Sequence, residues 1–170
     1  MKEVKAQHRV FYGDARELDE IPDGSVDLVA THPPYFGSVR YGGEKGDLSR
    51  AESLEEYLTT FKQVAEEVYR VLKPGGVLDI LVSDTRIKKY YVPTTHYVLL
   101  TLLDVGFAPR EEVKMQHNMK TTREVWRRRK ERDFLLIHHE KLYILEKRAA
   151  PLAAVGPAAW ALARRQLKRC

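Results

Sequence analysis

Apolar residues recur along this chain in two rhythms, and each predicts a different kind of element. From Ser53 onward, Leu54, Leu58, Phe61, Ala65, Val68 and Leu72 return at the spacing of one helix face, which predicts an amphipathic helix with a single core-facing stripe. Ser53 and Glu56 stand at the capping-box spacing that satisfies free backbone donors at a helix start. Lys73 suits the negative end of that helix, and Pro74-Gly75-Gly76 predicts its stop. The short runs SVDLVA (25–30) and VLDILV (77–82) are bounded by turn residues, as buried parallel strands are. RVFY (9–12) predicts a strand halted by Gly13-Asp14, and DARELDEI (14–21) a short helix ended by Pro22-Asp23-Gly24. Residues 93–105 predict a second helix closed by Gly106. EEVKMQ (111–116) and LLIHHEKLYILEK (135–147) predict further strands, the latter bent near His138-His139.

Strands alternating with helices in this order predict an α/β domain with a mostly parallel sheet over residues 1–148, followed by a basic, alanine-rich tail at 149–170. Ligands of such sheets bind at the carboxyl ends of the strands. THPPYFG (31–37) lies at one such end and Ser83-Asp84 at another. Between them, Gly37, Gly42, Gly43 and Gly46 mark a mobile loop that either carries function or fills space.

Composition narrows the class. With 44% hydrophobic and 31% charged residues among 170, and no apolar run near the ~20 residues a bilayer requires, no membrane association is expected. The start, MKEVKAQHRVFYGD, holds no apolar leader segment, and the lone cysteine, Cys170, allows no disulfide framework; both suggest a cytoplasmic setting. A formal net charge of +5 is a modest lean towards polyanionic partners. Trp126 beside Arg127–Lys130 either clamps nucleic acid or packs ahead of a strand. The tail stripe of Trp160, Ala163 and Leu167 is either a docking helix or a basic arm. His117, His138 and His139 lack the spacing of a metal centre and read as strand surface, so no metal is expected.

The residues with most chemical content are the two prolines and the tyrosine. Pro33 and Pro34 have fixed φ and no N–H, so their carbonyls are rigid acceptors with no competing donor. The planar ring of Tyr35 can stack on a nucleobase, worth roughly 1–3 kcal/mol per base. Together they suit holding an exocyclic amine against acceptors while its base lies on an aromatic face. Accepting the amine's hydrogens biases its nitrogen towards tetrahedral geometry and frees a lone pair to attack a methyl donor. The plainer alternative is a structural Pro-Pro turn whose tyrosine packs on the core.

GDARELDEIPDGSVDLVATHPPYF, followed by a capped helix ending in YRVLKPGG before a strand, resembles the amino-methyltransferases that move a methyl group from S-adenosylmethionine to cytosine N4 or adenine N6. The signature of that family is Asp, Asn or Ser followed by Pro-Pro-Tyr (or Phe, Trp). EVWRRRKERDFLLIHHEKLYILEK is similar to its later part, and the resemblance covers about residues 10–147. It implies a Rossmann-like methyltransferase sheet, S-adenosylmethionine as cofactor, and DNA or RNA as partner. It puts His32, Pro33, Pro34 and Tyr35 at the positions that hold the target amine. Asp14 matches an acidic residue that contacts the cofactor's adenine, although a turn after a strand would also explain it. Thr31 and Asp84, at strand ends facing the same crevice, are further candidate cofactor contacts, with a helix cap the other reading of Asp84.

This sequence departs from the family pattern twice. His32 stands where the family has an acceptor side chain; a neutral imidazole accepts through one nitrogen, whereas a protonated ring only donates. Either His32 acts as the neutral ring or the Pro33 carbonyl suffices. Second, the glycine-rich Phe-x-Gly-x-Gly segment that holds the cofactor's methionine part is absent. In the family sheet the strands around it lie between the one ending at Asp14 and the one ending at Thr31. Either those two close up, or another polypeptide (a second copy or a partner chain) completes the sheet. The alternative function is therefore a non-catalytic or split-enzyme subunit.

Overall fold

The computed structural model describes residues 7–37, 46–116, 135 and 137–149. Its elements in order are β1 (Val26–Thr31), a 3-10 turn (Leu48–Arg50), α1 (Leu54–Val71), β2 (Leu72–Val82), β3 (Thr85–Ile87), β4 (Tyr90–Val92), α2 (Thr94–Val105), β5 (Ala108–Gln116) and β6 (His139–Glu146). Four strands form one sheet in the order β1-β2-β6-β5, and β3 with β4 makes a separate hairpin. Only β1 and β2 run parallel; β6 is antiparallel to both β2 and β5. The sheet described is thus mixed where a mostly parallel one was expected, because β5 and β6 pair with each other as antiparallel neighbours.

α1 begins as its sequence predicts. The Ser53 hydroxyl accepts from the Glu56 N–H at 3.1 Å, and the Glu56 carboxylate reaches past the cap to accept from the Glu52 N–H at 2.8 Å. Tyr57, Phe61, Ala65, Val68 and Val71 carry its buried stripe. Its end differs from expectation. The helix stops at Val71, Leu72 turns directly into β2, and Pro74-Gly75-Gly76 lies inside that strand, opposite a register shift in β1. Besides Arg70 in the last turn, Lys147 serves the helix end, its ammonium donating to the carbonyls of Tyr69 at 2.6 Å and Leu72 at 2.8 Å, while Lys73 pairs with Asp27 at 2.7 Å. α2 closes at Gly106, where φ is 122° and a Cβ would stand 3.2 Å from the Tyr69 hydroxyl, so only glycine fits.

Both helices pack on the sheet face made by Leu78, Ile80, Val82, Tyr143 and Leu145. On the other face Leu28, opposite Val77, is 55% exposed, and Val113 and Met115 are exposed too. β1 pairs only with β2 and is an edge strand among the described residues.

Two expected elements do not form. Residues 9–12 are not a strand: Val10 is 95% and Tyr12 98% exposed, and among the described residues no neighbouring strand receives their backbone hydrogen bonds. Residues 14–21 are successive turns rather than a helix. Their backbone groups are taken by α1: the Glu67 carboxylate accepts from the Leu18 N–H at 3.0 Å, and Arg70 donates to the carbonyls of Leu18 at 3.0 Å and Ile21 at 3.1 Å. Most of the glycine loop (38–45), the segment around Trp126, His117 and the tail beyond 149 lie outside the described residues.

Candidate active site

Strand register fixes where the site can be. Thr31 pairs with Ile80, Val82 pairs with Lys141, and Gln116 pairs with His139, so the ends of β1, β2 and β5 meet the start of β6 along one edge of the sheet. His32, Pro33, Pro34 and Tyr35 lead off that edge directly after β1.

The corner is anchored from behind by two aromatic residues. Phe36 is buried, 4% exposed, with its ring 5.7 Å from that of Tyr57 on α1. The Tyr57 hydroxyl donates to the Pro34 carbonyl at 2.9 Å. Burial pushes the pKa of that hydroxyl far above its ordinary value, so it stays a donor at every working pH. The Pro34 carbonyl is therefore committed to the fold. The Pro33 carbonyl makes no hydrogen bond among the described residues, so of the motif's two rigid acceptors it is the one with no protein donor there. Tyr35, next to the buried Phe36, is only half-buried. Its hydroxyl donates to the Glu140 carboxylate at the start of β6 and also meets His32 Nε2, with the two rings 4.9 Å apart at 57°. The tyrosine thus stands at the rim and not in the core.

Of the other candidates, Thr31 and Asp84 lie at the same strand ends, and Asp14 lies in the turns before β1. Asp84, buried just after β2, accepts from the Thr95 N–H at 2.8 Å and from the Tyr91 hydroxyl at 2.5 Å, so one oxygen serves the start of α2 and the other the β4 strand. The bond to the Thr95 N–H matches the helix-cap reading. Asp14 is exposed and clasped by Arg16, whose backbone N–H and guanidinium both donate to it; that hydrogen bonding holds the carboxyl below the usual range. Thr31 is exposed at the end of β1.

A family model described as DNA methylase matches residues 26–167. This chain belongs to the DNA methylase family. It is 35% identical over 104 residues to the type II methyltransferase M.MjaI of Methanocaldococcus jannaschii, covering 48% of this chain and 34% of that enzyme. To M.BglII of Bacillus subtilis it is 41% identical over 70 residues, 41% of this chain and 18% of that enzyme. The S-adenosyl-L-methionine complex of TTHA0409 from Thermus thermophilus superposes with a TM-score of 0.63 at 25% identity, over 86% of this chain and 56% of that one. The cytosine-N4-specific PvuII DNA methyltransferase superposes with a TM-score of 0.62 at 23% identity, over 86% and 54%, which bears on the fold alone. The chain spans no more than about a third of these two curated relatives and little over half of the two structures. The sheet is accordingly an incomplete Rossmann-like α/β methyltransferase sheet.

The described residues of this DNA methylase bring the Pro-Pro-Tyr corner and the start of β6 together at one end of the sheet. No glycine-rich turn from strand to helix occurs among the described residues. Two features escaped the sequence reading. Glu140 lies 105 residues from its partner Tyr35, and nothing local marks it. The β3–β4 hairpin stands beside the corner, since a Cβ on Gly37 would lie 4.0 Å from the Ile87 side chain. It carries Arg86, Lys88 and Lys89 with exposed Tyr90 (67%) and Tyr91. Its signal was legible as TRIKKYYV, basic and aromatic residues interleaved directly after a strand end.

Proposed function

We infer that this chain provides the amine-holding part of a site that transfers a methyl group to the exocyclic amine of a nucleobase in DNA, cytosine N4 or adenine N6. The observation that carries this reading is the division of labour in the corner: Phe36 and the Pro34 carbonyl are locked into the core through Tyr57, while Tyr35 and the Pro33 carbonyl are left at the sheet's carboxyl edge. A base turned out of its stack would lie on the Tyr35 ring with its amine against Pro33. His32 supplies the second acceptor if its lone pair is available. S-adenosylmethionine, bound by TTHA0409, would supply the methyl group. The basic, aromatic β3–β4 hairpin beside the corner suits the phosphate backbone near the extruded base.

The test is transfer of labelled methyl from S-adenosylmethionine to unmethylated DNA and to RNA, with the product nucleoside identified by mass spectrometry. Tyr35→Ala should lower transfer roughly tenfold to a hundredfold, the worth of one stacked base, with the fold intact. Full activity in that variant would remove the stacking role, and a methylated RNA product alone would remove DNA as the substrate.

A second reading is favoured by the edge position of β1 and the lack of pairing at residues 9–12, both among the described residues. In it, the cofactor is held by further polypeptide that pairs along β1 and carries the glycine-rich turn. Calorimetric titration of this chain with S-adenosylmethionine separates the two. Binding by the chain alone favours the first; binding only after addition of a polypeptide bearing Phe-x-Gly-x-Gly favours the second.

A further inference from the structure

The contacts of Tyr35 determine more than its own position. A phenol has one hydrogen, and the Tyr35 hydroxyl gives it to Glu140. Its contact with His32 must then run the other way, with the Nε2–H of the imidazole donating to the phenolic oxygen. A neutral imidazole with its hydrogen on Nε2 carries a lone pair on Nδ1. His32 is exposed, and Nδ1 makes no hydrogen bond among the described residues.

We propose that Glu140, acting through the Tyr35 hydroxyl, holds His32 as the Nε2–H tautomer, so that Nδ1 becomes the side-chain acceptor for the target amine beside the Pro33 carbonyl. This rests on the amine-methylation reading and answers how a histidine stands where relatives of the signature type carry Asp, Asn or Ser. Glu140 is a positioning residue: it touches neither base nor methyl donor and acts by fixing which ring nitrogen is bare. The chain Glu140–Tyr35–His32 joins the start of β6 to the loop after β1 across the sheet's carboxyl edge. The tyrosine would then have two separable duties, its ring for stacking and its hydroxyl for the relay.

The experiment is long-range proton–nitrogen correlation spectroscopy of the full chain with labelled histidine, read without any methyl donor. The expected His32 pattern is a single ring hydrogen on Nε2, protected enough from exchange to be seen. In Glu140→Ala and in Tyr35→Phe that protection is lost while core resonances stay in place. In the methyl-transfer assay both variants should lose about fivefold to tenfold in kcat with little change in KM, the worth of one hydrogen bond. Glu140→Gln keeps an acceptor oxygen and should restore most of the rate. His32→Asn brings its own carbonyl, so Glu140→Ala should have no effect in that background.

A hydrogen on Nδ1, two ring hydrogens at neutral pH, or an unchanged His32 pattern in Glu140→Ala would overturn the proposal. So would an equal loss from Glu140→Ala with His32 or Asn at that position. A chain that shows the relay but methylates nothing supports the tautomer and sinks the proposed function. One that methylates without the relay sinks only the relay.

Discussion

Residues 7–14 and 31–37 use similar materials, an apolar or aromatic run next to a turn, and end in opposite states. In the second, Phe36 is 4% exposed and its neighbours are fixed by Tyr57; in the first, Phe11 and Tyr12 face water and no strand forms. The residue types do not explain the difference, since Val, Phe and Tyr all favour strands. What differs is the receiving surface. Residues 31–37 follow a strand paired to β2 and lie against α1, whereas residues 9–12 have no adjacent strand among the described residues. Strand propensity takes effect only where another backbone accepts the hydrogen bonds.

Substitution should reproduce this contrast at its largest in urea denaturation. Phe36→Ala empties a filled site between the corner and α1 and should cost about 3–5 kcal/mol. Phe11→Ala, by comparison, should change stability by no more than about 0.5 kcal/mol. Equal losses would mean that residues 9–12 are packed in solution, and the comparison would fail.

Tyr57→Phe sharpens the contrast without a cavity. It keeps the ring against Phe36 and removes only the donor to the Pro34 carbonyl, for an expected cost of about 0.5–1.5 kcal/mol. Methyl transfer should fall along with stability, because the corner loses its fixed orientation although Tyr57 touches no base. Transfer unchanged at reduced stability would show that Tyr57 serves the core alone.

Leu28→Lys probes the exposed face of β1, the edge strand among the described residues. Leu28 is 55% exposed, so the exchange should stay within about 0.5 kcal/mol in the isolated chain. A loss near ~2 kcal/mol, or a change in sedimentation, would mean that a second copy covers that face.

What the sequence showed and what it hid follow the same division. α1 and α2 were legible because caps, apolar spacing and Gly106 are local, and the corner was legible because two prolines fix their own backbone. The end of α1 was misplaced because Pro74-Gly75-Gly76 reads as a stop in either setting, while one helix-end cation, Lys147, comes from the far end of the chain. The partners of Asp84, the Thr95 N–H and the Tyr91 hydroxyl, lie 11 and 7 residues away on two different elements, so no local pattern marks them. Glu140 was hidden altogether. Its meaning depends on strand register, which places the start of β6 beside the end of β2, and register is a property of the sheet rather than of any window of sequence.

The smallest expected effect concerns the turns at 14–24, which α1 holds through Glu67 and Arg70. The Glu67 carboxyl lies below its ordinary value of 4.5, first because the Arg70 guanidinium bonds to it and then because the Leu18 N–H does. A carboxyl with a depressed folded pKa contributes stability above its unfolded value and loses it as pH falls through the folded one. The stability difference between the wild type and Glu67→Gln should thus be constant from neutral pH down to about 5 and close below about 4. The Leu18 amide, bonded directly to that carboxylate, should report the titration in its proton shift, with a midpoint below the ordinary glutamate range. A midpoint at or above that range would mean the turns at 14–24 are not held on α1 in solution, and the N-terminal segment would then be loose as far as β1.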